Sequence, residues 1–315
     1  MTKLLVTRAL PDRVLAAIPH DIDLTVREEI EPLTETGAKA ALQVYDAILP
    51  TLGDAFSAKA FAEGARCDIL ANFGVGYNHI DVEAARAAEV VVTNTPGAVT
   101  DATADIAMML ILMTCRRGGE GERLVRSGRW EGWHPTQMLG LHLGGKTLGI
   151  IGMGRIGQAV AKRAVYGFGM DVVFHNRSRK GAGARMRQLA TAEEVAKVAD
   201  VLLVAVPATP DTHHMINADL LATMKPGAVL INVARGDIVD EAALILALQT
   251  GQIAGAGLDV YEFEPKVPEP LLAMENIVLL PHLGTATLEV REAMGLMAVE
   301  NLKAFWEGRP LPNAV

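Results

Sequence analysis

Short apolar runs alternate with helix-period segments from the start of the chain. Residues 4–7, 24–26, 47–49, 69–71 and 90–92 are aliphatic runs of strand length, and 13–18, 35–42, 57–63 and 82–88 carry helical spacing between them. Strands separated by helices predict a parallel sheet covered on both faces. The turn Thr95-Pro96-Gly97 ends this first unit and predicts a hinge. A single helix is predicted over 101–126, with Ala107, Leu110, Ile111 and Met113 on its apolar side, followed by an aromatic loop over 128–135. Six further strands are predicted at 147–151, 172–175, 201–204, 228–233, 253–258 and 277–280. A last helix over 287–305 places Val290, Met294, Met297, Val299 and Leu302 at helical spacing. The whole reads as an α/β protein of two doubly wound parallel-sheet domains. The first unit ends near Thr95-Pro96-Gly97 and the second α/β unit begins at Lys146.

Composition narrows the class of function more than the fold. The chain has 315 residues, half of them apolar, enough for two domains with their own cores. A net charge of −8 argues against a broad basic face for nucleic acid, and leaves room for an anionic substrate held by local arginines. Cys67 and Cys115 are too few for a disulfide framework or a cysteine zinc site and suit a reducing compartment. The apolar stretch near the N-terminus is too short for a signal peptide, and the run 106–115 is far below membrane-spanning length. A cytoplasmic protein with no membrane partner is the expectation. The sequence contains no dense His/Asp/Glu run that predicts a metal.

The sharpest signal is Gly152-x-Gly154-x-x-Gly157, after the strand 147–151 and before a helical pattern over 158–168. The first glycine permits the tight turn, the second lets backbone approach a pyrophosphate, and the third lets helix and strand pack closely. The helix N-terminus adds free N–H groups and its dipole. The motif thus predicts a dinucleotide-binding unit. The next strand ends in Asn176-Arg177-Ser178-Arg179, with no Asp or Glu to take a ribose 2′-hydroxyl. Two arginines around a hydroxyl suit a 2′-phosphate, so NADPH is the expected cofactor and NADH the lesser one. Three late strands end near Arg235, Glu264 and His282. An arginine grips a carboxylate bidentately, a histidine passes a proton near neutral pH, and a carboxylate beside it fixes its tautomer.

Taken in order, the glycine motif, Asn232-Val233-Ala234-Arg235-Gly236, Leu258-Asp259-Val260-Tyr261-Glu262-x-Glu264-Pro265 and Pro281-His282-x-Gly284-x-Ala286-Thr287 resemble the D-isomer-specific 2-hydroxyacid dehydrogenases. Within that family the chain is most similar to the glyoxylate/hydroxypyruvate reductase branch. The resemblance implies a Rossmann cofactor domain, residues 99–286, inserted into a flavodoxin-like substrate domain, residues 1–98 and 287–315, with a cleft between them. It implies hydride transfer between a nicotinamide and a small 2-keto acid, giving the D-2-hydroxy acid. Arg235 would then bind the substrate carboxylate and keto oxygen, His282 would be the acid/base, and Glu264 its partner. Val75, Gly76, Leu52 and Trp133 would contact substrate. Beyond Gly152, Gly154 and Gly157, the cofactor would be held by Arg155, Ile156, Asn176, Arg177, Ser178, Arg179, Val206, Pro207, Thr212, Val233, Ala234, Asp259, His282, Gly284 and Thr103. A homodimer is implied, with 101–145 as its arm and Trp133 either entering the neighbouring active site or packing in the contact. The alternatives left open are a D-lactate-like, phosphoglycerate or formate substrate, and a nucleotide-sensing binding protein of the same fold. The sequence through Val315 leads to the expectation of no regulatory extension of the kind long phosphoglycerate dehydrogenases carry, which weighs against a phosphoglycerate substrate.

Overall fold

The computed structural model describes residues 1–181 and 183–315 and divides into two compact α/β units, Met1–Val99 with Ala286–Val315, and Thr100–Thr285. In the first unit β1 (Lys3–Val6), α1 (Asp12–Leu15), β2 (Asp23–Val26), α2 (Glu35–Val44), β3 (Ala47–Leu49), β4 (Ile69–Ala71), α3 (Val82–Ala87) and β5 (Val91–Thr93) follow one another. All strands are parallel, in the order β2-β1-β3-β4-β5. That order reverses between β1 and β3, and ligands in such sheets bind beyond the strand ends at the reversal. β3 and β4 are buried throughout, as strands covered on both faces must be.

The second unit opens with α4 (Thr100–Cys115) and α5 (Gly118–Arg126). It continues β6 (Thr147–Ile151), α6 (Arg155–Phe168), β7 (Asp171–His175), β8 (Met186–Gln188), α7 (Ala192–Val198), β9 (Val201–Val204) and α8 (Ala218–Thr223). β10 (Val229–Asn232), α9 (Glu241–Gln249), β11 (Gly255–Leu258), α10 (Glu269–Ala273) and β12 (Ile277–Leu279) complete it. α11 (Leu288–Trp306) then returns the chain to the first unit, where Ala298, Val299 and Leu302 join the core under β1, β3 and β4. The seven-stranded parallel sheet runs β12-β11-β10-β9-β6-β7-β8, so its reversal lies between β6 and β9.

Three expectations are corrected. Residues 101–126 form two helices, because Arg117 adopts left-handed backbone (φ 54°) and glycines follow at 118 and 119. Arg117 is held there by two hydrogen bonds to Glu120, at 2.8 and 2.6 Å. Residues 57–63 form successive turns rather than a helix: Ala60 donates to Ser57, Phe61 to Ala58 and Gly64 to Phe61, all three residues back. The sheet has a seventh strand, β8, whose Met-Arg-Gln at a sheet edge carries no apolar run to reveal it. No described helix is long and apolar enough to cross a membrane.

Candidate active site

β6 runs directly into the glycine turn at the sheet reversal. A side chain on Gly152 (φ 101°) would meet the Ala205 carbonyl oxygen at 2.5 Å, and one on Gly157 would strike the carbonyl of Gly152. Gly154, by contrast, has no neighbour within 4 Å of its missing side chain, so its backbone is open to a ligand. Arg155 and Ile156 begin α6 behind it. This is the shape of a pyrophosphate cradle, and the residues present fit a dinucleotide.

The loop after β9 lies across the reversal. Thr212 is buried and its hydroxyl donates to the Pro207 carbonyl at 2.8 Å, while the Thr209 amide donates back to it at 2.8 Å. Thr212 therefore shapes the Val206–Pro207 bend. At the end of β7, Asn176 accepts the Met153 amide at 3.1 Å and donates to the Ser178 hydroxyl at 3.1 Å. Asn176 thus ties the glycine turn to the basic segment. Arg177, Ser178 and Arg179 are exposed, and among the described residues neither arginine forms an ion pair.

The loops after β10, β11 and β12 are built to bring Arg235, Glu264 and His282 forward. Asn232 is buried at the end of β10, where it accepts the Ala234 amide at 3.0 Å and donates to the Arg235 carbonyl at 2.8 Å. It folds the Val233–Ala234 bend around itself. Gly236 then packs so closely on the Tyr261–Glu262 backbone that any side chain would collide. Burial pushes the Arg235 guanidinium down from its ordinary pKa, against the opposing charges of Glu264 and Asp237. Arginine starts so high that it remains cationic.

Glu264 spends one carboxylate oxygen on the Tyr261 amide at 3.1 Å and the other on His282 Nδ1 at 2.9 Å. Burial works to raise its pKa, but the His282 hydrogen bond and charge, the Tyr261 amide and Arg235 outweigh it, and the net shift is downward. An ionised Glu264 accepts only, so His282 Nδ1 is the protonated donor and Nε2 is the nitrogen left for chemistry.

His282 sits in left-handed backbone (φ 55°), with its amide on the Asp259 carbonyl at 2.9 Å. Asp259 is 1% exposed, and its two carboxylate oxygens accept the Leu283 and Gly284 amides at 2.6 and 2.8 Å. The Thr103 hydroxyl donates to the Gly284 carbonyl at 3.1 Å. Asp259 and Thr103, assigned to the cofactor by resemblance, thus hold the turn that presents His282. Asp259→Asn puts an NH₂ where an acceptor is required and leaves one buried amide unpaired. It is expected to destabilise the chain by about 1–3 kcal/mol, read by denaturant unfolding.

In the first unit, Leu52 lies after β3 at the other sheet reversal, its carbonyl accepting Arg8 at 2.9 Å. Buried Asp54 organises that loop, accepting the Thr7 hydroxyl at 2.6 Å and the Thr51 and Leu33 amides at 2.8 Å each. After β4, Asn72 donates to the carbonyls of Gly74 and Gly76 at 3.0 and 3.1 Å, and Asn94 to that of Val75 at 2.9 Å. The loop's carbonyls are thereby occupied, while among the described residues the amides of Val75 and Gly76 donate to nothing. A pair of free amides of this kind suits an anion. Trp133 is 79% exposed.

Asn232, Asn72 and Asn94 carry no acid–base chemistry, Asp54 is buried with its oxygens engaged by its own loop, and none was singled out as a site residue in the sequence. The only signal was an asparagine where a strand meets a turn, in Asn232-Val233-Ala234-Arg235 and Asn72-Phe73-Gly74.

A dinucleotide cradle on one half of a doubly wound sheet, with an arginine and a carboxylate-backed histidine on the strand ends of the other half, is the apparatus of a nicotinamide-dependent dehydrogenase. A family model described as D-isomer specific 2-hydroxyacid dehydrogenase, NAD binding domain, matches residues 108–284. The glyoxylate reductase of Pyrococcus furiosus is 44% identical over 99% of this chain and 95% of its own. A crystal structure from Thermus thermophilus is 43% identical with a TM-score of 0.93, covering all of both chains. The NADPH-dependent glyoxylate/hydroxypyruvate reductase of Sinorhizobium meliloti, solved with NADP and malonate, is 39% identical with a TM-score of 0.89, over 100% of this chain and 96% of that one. The chain belongs to the D-isomer-specific 2-hydroxyacid dehydrogenase family, and is an NAD(P)-dependent enzyme of its glyoxylate reductase branch.

Proposed function

We propose that the chain reduces glyoxylate or hydroxypyruvate to the D-2-hydroxy acid, with NADPH preferred over NADH. The observation that carries this reading is the 2.9 Å contact of Glu264 with His282 Nδ1, within electrostatic reach of Arg235. The names of the relatives support the choice of substrate. The turn Gly152–Gly157 would hold the pyrophosphate of the cofactor, which when bound would supply the hydride for the keto carbon. Arg235 grips the substrate carboxylate and polarises the keto oxygen, and the free amides of Val75 and Gly76 are the first unit's own candidates for an anion. His282 delivers a proton from Nε2 to the oxygen as negative charge develops there, and Glu264 stabilises the imidazolium before transfer. Leu52 shapes the pocket for a small acid. In a cytoplasmic homodimer, the arm over 101–145 carries Trp133 to the neighbouring subunit's substrate.

Initial rates on glyoxylate, hydroxypyruvate and pyruvate, each with NADPH and NADH, test the reading. The first two with NADPH are expected to be fastest; a preference for pyruvate or NADH would overturn it. Arg177 is exposed and forms no ion pair among the described residues, as a partner for a 2′-phosphate should be. Removing one charge-assisted contact costs about 1.5–3 kcal/mol, so Arg177→Ala is expected to weaken NADPH by about 10–100-fold and leave NADH nearly unchanged. Equal losses for both cofactors would make Arg177 ordinary surface.

A further inference from the structure

Outside the proposed chemistry, the turn after β9 brings two consecutive histidines against the loop after β11. The rings of His213 and His214 stack with centroids 4.0 Å apart and planes 23° from parallel. His214 Nε2 lies 2.9 Å from a Glu262 carboxylate oxygen. One ligand-capable atom from each of the three residues lies within 4.8 Å of the other two. No dense ligand run in the sequence announces this cluster; the fold assembles it from segments 48 residues apart.

The backbone beneath the cluster is fixed. His214 adopts left-handed conformation (φ 49°) and its amide donates to the Asp237 carbonyl at 2.9 Å. The preceding bend is pinned by the Thr212 hydroxyl on Pro207. Glu262 donates its amide to the buried Glu241 carboxylate at 3.0 Å. The side chains, by contrast, reach solvent: His213 is exposed, His214 and Glu262 are half-buried, and among the described residues the His213 ring makes no hydrogen bond. An ion has an entry path, and small rotations bring the donors together without moving the chain.

Two imidazoles and one carboxylate are the protein donor set of open zinc sites, which keep a fourth position for water. Bonds of about 2.0–2.2 Å in tetrahedral geometry put ligand atoms about 3.3 Å apart, so three donors already within 4.8 Å of one another need only close in. Nitrogen donors favour Ni²⁺, Cu²⁺ and Zn²⁺ over Mg²⁺ or Ca²⁺.

We propose that His213, His214 and Glu262 bind a divalent transition-metal ion of the Zn²⁺ type, with water completing the coordination. The ion replaces the His214–Glu262 hydrogen bond and recruits His213. Glu262 stands two residues before Glu264, so the site anchors the loop that carries the partner of His282.

The test uses the full chain after treatment with a chelator. Titration with Co²⁺ is expected to give visible ligand-field absorption saturating at one ion per chain, displaced by Zn²⁺. In calorimetric Zn²⁺ titrations, His213→Ala and Glu262→Gln are each expected to weaken binding by more than about tenfold, since loss of even an outer partner of a ligand costs that much. His282→Ala is expected to leave Zn²⁺ affinity unchanged, and retained NADPH binding shows each variant is folded. Absence of Co²⁺ uptake by the native chain would overturn the proposal. So would unaltered affinity in folded His213→Ala and Glu262→Gln, or loss of binding in His282→Ala, which would move the ion to the Glu264–His282 pair.

Discussion

Replacing His282 by Ala is expected to lower kcat by about 10²–10⁴-fold while NADPH binding persists, because a positioned proton donor is worth that factor. The structure separates the proton role from the scaffold role. The turn is held by backbone and by Asp259 and Thr103, through the amides of residues 282–284 and the carbonyl of Gly284, none of which involves the imidazole. His282 also occupies left-handed backbone (φ 55°), which asparagine tolerates better than most residues. His282→Asn therefore relieves any backbone objection yet transfers no proton near neutral pH, and the same loss of turnover is expected from it. Steady-state rates with NADPH fluorescence titration check both variants; near-normal turnover in either would remove His282 from the reaction. Glu264 adds a pH argument. Its carboxyl is held below the ordinary 4.5, so its charge is present above that range and is lost only as pH falls through the lowered value. Glu264 itself therefore stays ionised across the neutral range, and Glu264→Gln, which withdraws the charge that stabilises the His282 imidazolium, is expected to cost turnover increasingly as pH rises, read from kcat against pH.

What could be read without coordinates follows from period and punctuation. Strands buried on both faces, such as Val201–Val204 and residues 229–231 of β10, are unbroken apolar runs, and helices between them leave few topologies open. The glycine turn was legible because each glycine answers a separate steric demand, now visible in what a side chain would strike. The break at Arg117 was hidden, since one residue's left-handed backbone leaves little trace in a pattern. The edge strand Met186–Gln188 was hidden because an edge needs only backbone pairing. At the site, charged residues at strand ends announced themselves. The aiming hydrogen bonds did not, because Asn232 and Thr212 act on backbone atoms of their own turns through geometry a pattern does not show, and Thr103 acts on Gly284, which only the fold brings close.

Arg235→Ala is expected to lower kcat/KM for the keto acid by about 10²–10³-fold, the loss typical of one preorganised donor to a developing oxyanion. The argument rests on how the guanidinium is placed. Asn232 grips the Arg235 carbonyl, and Gly236 presses the same loop onto the Tyr261–Glu262 backbone, so Arg235 is delivered by two close contacts that are independent of its side chain. Truncation therefore removes the charge and leaves the loop intact. Burial already works against the cation, with Glu264 and Asp237 supporting it. Held in that balance, the guanidinium gains most from an anion that arrives with the substrate and from charge that grows on the keto oxygen. Arg235→Lys keeps a cation but loses the planar fork, and is expected to recover only part of the loss, chiefly in KM. NADPH affinity is expected to change little in either variant, because the glycine turn and the basic segment lie on the other half of the sheet, β6 and β7 against β10. Unchanged kcat/KM in Arg235→Ala, measured on glyoxylate at saturating NADPH, would show that the substrate carboxylate is held elsewhere, with the free amides of Val75 and Gly76 as the remaining candidates.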